Sequence, residues 1–112
     1  MSDAPKAHHQ FLTEFPAVAE AYQRLGAAAH ASGPLDQRAR QLVKLALAVG
    51  AGHEGAVHAH TKKALAAGLS PAEIKQVVTL AVTTVGLPNA VAAYTWVNDI
   101  LEAPAAQPPA AA

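Results

Sequence analysis

A chain of 112 residues has room for one domain and not for two. Eight basic and eight acidic residues cancel, and the basic ones form no stripe, so no net field favours nucleic acid. The absence of cysteine excludes disulfides, thiolate nucleophiles, thiol redox chemistry and sulfur ligands to zinc.

With 52% hydrophobic residues, many of them alanine, a core needs no covalent staple. The opening MSDAPKAHHQ lacks the apolar stretch of a signal peptide. The longest apolar run, Leu45 to Ala51, falls well short of the ~20 residues a membrane helix requires. A cytoplasmic protein with neither membrane nor nucleic-acid partners is expected. Residues 1–10 and the Ala/Pro tail 104–112 carry no periodicity and are expected to be disordered, leaving 11–103 as the domain.

Five helical segments follow in chain order. In FPAVAEAYQRLGAAAHASGP, Pro16 suits a first helical position and Gly33-Pro34 ends the segment. Val18, Ala21, Tyr22, Leu25 and Ala29 keep the helical period. Asp36 can cap a second helix reaching Gly50–Gly52, with Leu42, Leu45, Ala46 and Val49 on one face. Val43 and Leu47 widen that face toward full burial. The third helix, within GAGHEGAVHAHTKKAL, ends at Gly68 after Lys62 and Lys63, cations that suit a helix C-terminus. Ser70-Pro71-Ala72-Glu73 is a capping box opening the fourth. Its VVTLAVTTV run also fits a buried strand, but the box, Lys75-Gln76 and Gly86-Leu87-Pro88 favour helix. Pro88 opens the fifth, through Ala92, Trp96, Val97, Ile100 and Leu101. No hairpin signal occurs, so the fold class is all-α.

Three histidines and a glutamate fall within eight positions of HEGAVHAH. At about 100° per residue, His53, Ala56, Val57 and His60 share one helical face, and Glu54, His58 and Thr61 share the neighbouring one. His53 and His60 stand seven residues apart, roughly 10 Å along the axis, and cannot ligate one ion unaided. The zinc-protease pattern sets its histidines four apart, whereas His53 and His58 are separated by five. Glu54 and His58, at i and i+4, could meet an ion or form a surface pair. No metal and no cofactor is assigned on this basis, although His53 or His58 could ligate one with partners from another helix or subunit. His60 looks across Ala56, one turn away, and is a candidate general acid or base; the competing reading is an interhelical structural histidine.

Taken together, GPLDQRARQLVKLALAVGAG and HEGAVHAHTKKALAAGLSPAEIKQVVTLAVTTVGLPNAVAAYTWVNDIL resemble the carboxymuconolactone decarboxylase family, which includes alkylhydroperoxidase D. The resemblance runs from about Phe15 to Leu101. It implies a compact bundle of five to six helices, with a short extra helix near His9–Glu14, assembled as a homotrimer or hexamer. The family's peroxidases use a C-x-x-C pair, a histidine four residues after it and a glutamate twelve before it. Those positions fall here on His53, Ala56, His60 and Gln41, so only the histidine persists. Thiol peroxidase chemistry is therefore not expected.

The family's decarboxylases lack the cysteine pair. The resemblance accordingly implies lyase or proton-transfer chemistry through His60 on a small carboxylated substrate. Gln41 would orient His60, and His53, Glu54 and His58 would tune the site or bind. The alternative is a non-catalytic oligomeric or ligand-binding protein on the same scaffold. Replacing a glutamate by Gln41 removes an acidic partner, so a lowered pKa is expected for His60. Arg38, Arg40 and Lys44 could meet a carboxylate, or one of the arginines could pair with Asp36. Trp96 either lines the pocket or fills the core.

Overall fold

The computed structural model describes residues 6–103. They form six helices: α1 (Lys6–Glu14), α2 (Pro16–His30), α3 (Gln37–Ala51), α4 (Glu54–Ala66), α5 (Pro71–Ala81) and α6 (Leu87–Leu101). No strand occurs among the described residues, as the sequence implies. Helix α1 takes in Lys6–Gln10, which had been expected to lack structure. It buries no residue, and what supports it is α2 together with the tilted Phe11–Phe15 ring pair, whose centroids lie 5.2 Å apart. The expected disorder of residues 1–5 and 104–112 lies outside the described residues.

Local chemistry sets each boundary. Asp36 caps α3, its Oδ1 accepting from the Ala39 amide at 2.9 Å. Gly52, at φ 66°, closes that helix in a left-handed turn which a Cβ would strain. The Ser70 hydroxyl accepts from the Glu73 amide at 3.1 Å, and the Ser70 amide donates to the Glu73 carboxylate at 2.8 Å, completing the capping box of α5. Helix α5 ends at Ala81, earlier than the VVTLAVTTV run suggests. The Thr79 and Thr84 hydroxyls donate back to the Gln76, Leu80 and Ala81 carbonyls, offering the backbone an alternative to further helix before Gly86.

The core lies among α3, α4, α5 and α6. Leu45, Val57, Ile74 and Val97 are fully buried there, with Val49, Val78, Ala64 and Ala93 between them. Helices α3 and α4 form an antiparallel pair, and α6 packs on α4 and α5. By contrast, α1 and α2 pack chiefly on each other. The regular stripe of α2 points outward, with Val18, Tyr22 and Leu25 at 50%, 67% and 65% exposure, so its periodicity does not mark a face of the core. Val43 and Leu47 on α3 are likewise exposed, and full burial of that helix is not observed. The radius of gyration, 15.0 Å, exceeds the roughly 13 Å of a compact chain this long, because α1 and α2 stand off from the rest.

One long-range clamp joins α3 to the α4–α5 turn. Arg38 donates to the Gly68 carbonyl at 2.8 Å and to the Glu73 carboxylate at 2.6 Å. The expected pairing of Arg38 or Arg40 with Asp36 does not occur, since Asp36 is engaged as a cap and Arg40 donates to the Leu35 carbonyl at 2.6 Å. Hydrogen bonds from the Ser70 backbone, followed by the Arg38 charge, hold the Glu73 carboxyl below its ordinary 4.5. A depressed carboxyl pKa contributes stability above the unfolded value and loses it as pH falls through the folded one. Glu73→Gln is therefore expected to be less stable than wild type at neutral pH. The difference should vanish below the folded pKa of Glu73, as checked by urea unfolding across pH 2–7.

Candidate functional site

On α4, Val57, Thr61 and Ala64 face the core, which turns His60 toward α3 at half-burial. The charges that reach it come from Lys63, three residues on along α4, and from Lys44 on α3. Lys44 in turn lies 2.9 Å from His30 at the end of α2, and Gln41 stands one turn before Lys44 on α3. Gln41 is buried at 8% exposure, and its Oε1 has no hydrogen-bond partner. The His60 Nδ1 is also buried without one. Arg40 Nε and Asn98 Oδ1 are buried without a partner as well. Unpartnered polar atoms inside a protein are costly, so each is a point where a bound molecule or water has a hydrogen bond to gain.

The electrostatics are one-sided. Burial first, then the charges of Lys63 and Lys44, lower the pKa of His60 from its ordinary 6.5. The direction agrees with the sequence expectation, but the causes are burial and two lysines in addition to any lost glutamate. Lys44 also lowers His30, with burial, Arg40 and Lys63 adding to the effect. An ammonium must donate to an imidazole nitrogen at 2.9 Å, so His30 Nε2 is the acceptor and the ring is neutral with its proton on Nδ1. Lys44 and Lys63 thus set two positive charges around a half-buried imidazole, an arrangement that favours an anion.

The remaining sequence candidates separate from this cluster. His53 is not on the face of His60, because it precedes α4 as its N-cap. Its Nδ1 accepts from the Ala56 amide at 3.1 Å, so that nitrogen is committed to starting the helix. Helical phase assumed for HEGAVHAH therefore fails at its first residue. Glu54 and His58 lie on the side of α4 facing α6, where His58 Nε2 donates to the Asp99 carboxylate at 2.9 Å. Trp96 is partly buried against the core. Arg38 is taken up by its clamp. An apolar groove of about 500 Å³ between α3 and α5, walled by Leu42, Val43, Ala46, Val77 and Leu80, holds neither His60 nor Gln41. It lacks an acid–base group of the histidine kind and is not the candidate site.

Sequence reasoning missed His30, Lys63 and Asp99. His30 sits on α2 and meets Lys44 only through packing, whereas Lys63, three residues after His60 on the same helix, could have been found from that spacing. Asp99 is 41 residues from His58 and meets it only through packing of α6 on α4.

Comparison with known proteins bears on the same segment. The family model of the Carboxymuconolactone decarboxylase family matches residues 16–99. A protein of Haemophilus influenzae described as uncharacterized is 37% identical over 63 residues, 56% of this chain. The chain thus spans 56% of that relative's length, a little over half. No solved structure matches the chain significantly.

Proposed function

The chain belongs to the carboxymuconolactone decarboxylase family, and from that premise we propose that it is a cysteine-free lyase or proton-transfer enzyme acting on a small carboxylated molecule at His60. The observation that supports this most is the half-buried His60, whose Nδ1 lacks a hydrogen-bond partner and whose ring feels the charges of Lys63 and Lys44. A substrate carboxylate would be drawn to the lysines. Its charge would offset theirs and favour the protonated imidazole, readying an acid at the reacting carbon. In a decarboxylation the carbon–carbon bond to the carboxylate breaks and carbon dioxide leaves. The electron pair left on the lactone takes up a proton, which His60 relays from solvent.

The family's thiol peroxidase route is closed, because no cysteine exists to be oxidised. We further propose assembly as a homotrimer or hexamer and a cytoplasmic setting. Supporting assembly, Phe11, Phe15, Val18, Tyr22 and Leu25 form an exposed apolar surface on α1 and α2. No helix among the described residues is long and apolar enough to cross a membrane.

Incubation with carboxymuconolactone, followed by carbon dioxide release, is expected to show turnover above the uncatalysed rate. Hydroperoxide consumption should stay at the buffer level. Binding of the lactone without turnover would instead support the second reading, a ligand-binding protein on the same scaffold, for which the committed His30–Lys44 contact speaks.

A further inference from the structure

The sequence alone leaves Glu54 and His58 one donor short of a metal site, since α4 supplies only two groups on that face. Packing of α6 supplies a third. The ligand atoms of Glu54, His58 and Asp99 all lie within 4.8 Å of one another. We propose that these three side chains bind a first-row divalent transition-metal ion of the zinc or cobalt type.

The geometry carries the proposal. Donors about 2.1 Å from a common ion stand about 3.0–3.4 Å apart when adjacent, in octahedral or tetrahedral sites respectively. His58 Nε2 and Asp99 Oδ2, at 2.9 Å, stand just short of that spacing, and an ion binding between them would release to solvent the proton that they share. Only Glu54 must swing inward, and as an exposed side chain one turn before His58 it has the freedom to do so. The scaffold beneath is rigid: Val57 and Val97, neighbours of His58 and Asp99 along their helices, are both fully buried.

Donor chemistry narrows the ion. An imidazole nitrogen with two carboxylate oxygens suits zinc, cobalt and their neighbours, while magnesium and calcium favour all-oxygen sets. Two carboxylates also bring two negative charges that a divalent cation would neutralise. A simple ion pair needs only His58 and Asp99 and at this exposure is worth little. Helical spacing sets Glu54 beside His58, and the packing of α6 adds Asp99 from the other side, which makes three donors of two. His58 and His60 differ by two residues, about 200° around α4, so the site faces away from the His60 cluster and stands or falls apart from it.

The test is calorimetric titration of the untagged, chelator-stripped full chain with Zn²⁺ at neutral pH, with Co²⁺ absorption reporting coordination. One ion per chain is expected, with a cobalt spectrum perturbed on binding. Asp99→Asn and Glu54→Gln, exposed and nearly isosteric, should each weaken binding roughly tenfold or more, and His58→Ala should abolish it. A His8→Ala/His9→Ala double variant should bind as wild type does. The proposal is overturned by absence of saturable binding, by affinity unchanged in both carboxylate variants, by loss of binding in the His8/His9 variant, or by Mg²⁺ competing at equal concentration. Circular dichroism of each variant separates lost binding from lost fold.

Discussion

On the proposed lyase reading, replacing His60 with alanine is expected to abolish turnover of a carboxylated substrate while leaving the sedimentation mass equal to that of wild type. General acid–base groups contribute roughly 10²–10⁴-fold in rate, so the residual activity should lie at or near the uncatalysed level. His60 is half-buried and takes no part in the fully buried cluster of Leu45, Val57, Ile74 and Val97, which is why assembly should survive its loss. His60→Gln sharpens the experiment, since glutamine keeps hydrogen-bonding capacity and removes proton transfer. Turnover lost in both variants identifies a proton carrier, and turnover restored by glutamine identifies an orienting group. A change in mass with His60→Ala would instead make the residue structural and sink the catalytic role.

The largest effect on stability is expected at Ile74. It is fully buried on α5, and truncation to alanine removes three carbons from a close-packed site. The loss should be about 2–5 kcal/mol, combining lost transfer energy with the cavity left behind. At the roughly 4–8 °C per kcal/mol typical of small domains, the thermal midpoint should fall by about 10 °C or more. Gln76→Ala, on the exposed side of the same helix, should stay within about 0.5 kcal/mol of wild type. Equal losses at both positions would show that α5 is stabilised by something other than its buried face.

These contrasts bear on how much the residues announce in advance. Helix starts were legible where a side chain closes its own turn: Asp36 on Ala39, Ser70 with Glu73, and the prolines at positions 16, 71 and 88. The end of α3 was legible for a different local reason, because Gly52 can take the left-handed conformation that closes a helix. Burial was legible only where the described residues supply both sides of a contact. The stripe from Val18 to Leu25 is as periodic as a core face, yet no other described element of this chain covers it. Periodicity tells that a face is apolar and is silent about what meets it.

The site divides along the same line. His60 stood out from its place on α4 and Gln41 from the family resemblance, and the fold then brought Lys44 within electrostatic reach of His60 and His30 against Lys44. His53 shows the opposite outcome, because a capping side chain lies outside the helical phase used to place it. Local hydrogen bonding decided that residue, and an even count of 100° per position could not reveal it. Asp99 was invisible for a different reason: nothing in its own neighbourhood along the chain refers to α4.

The stand-off of α1 and α2 has a consequence for how the protein behaves on dilution. Helices of nine and fifteen residues that bury none of their own side chains gain little from the rest of the chain. If their apolar side is covered by another copy, mass action couples their folding to encounter. Each copy would then lend its neighbour the shelter that it lacks, and the order of these helices would depend on how many copies share the solution.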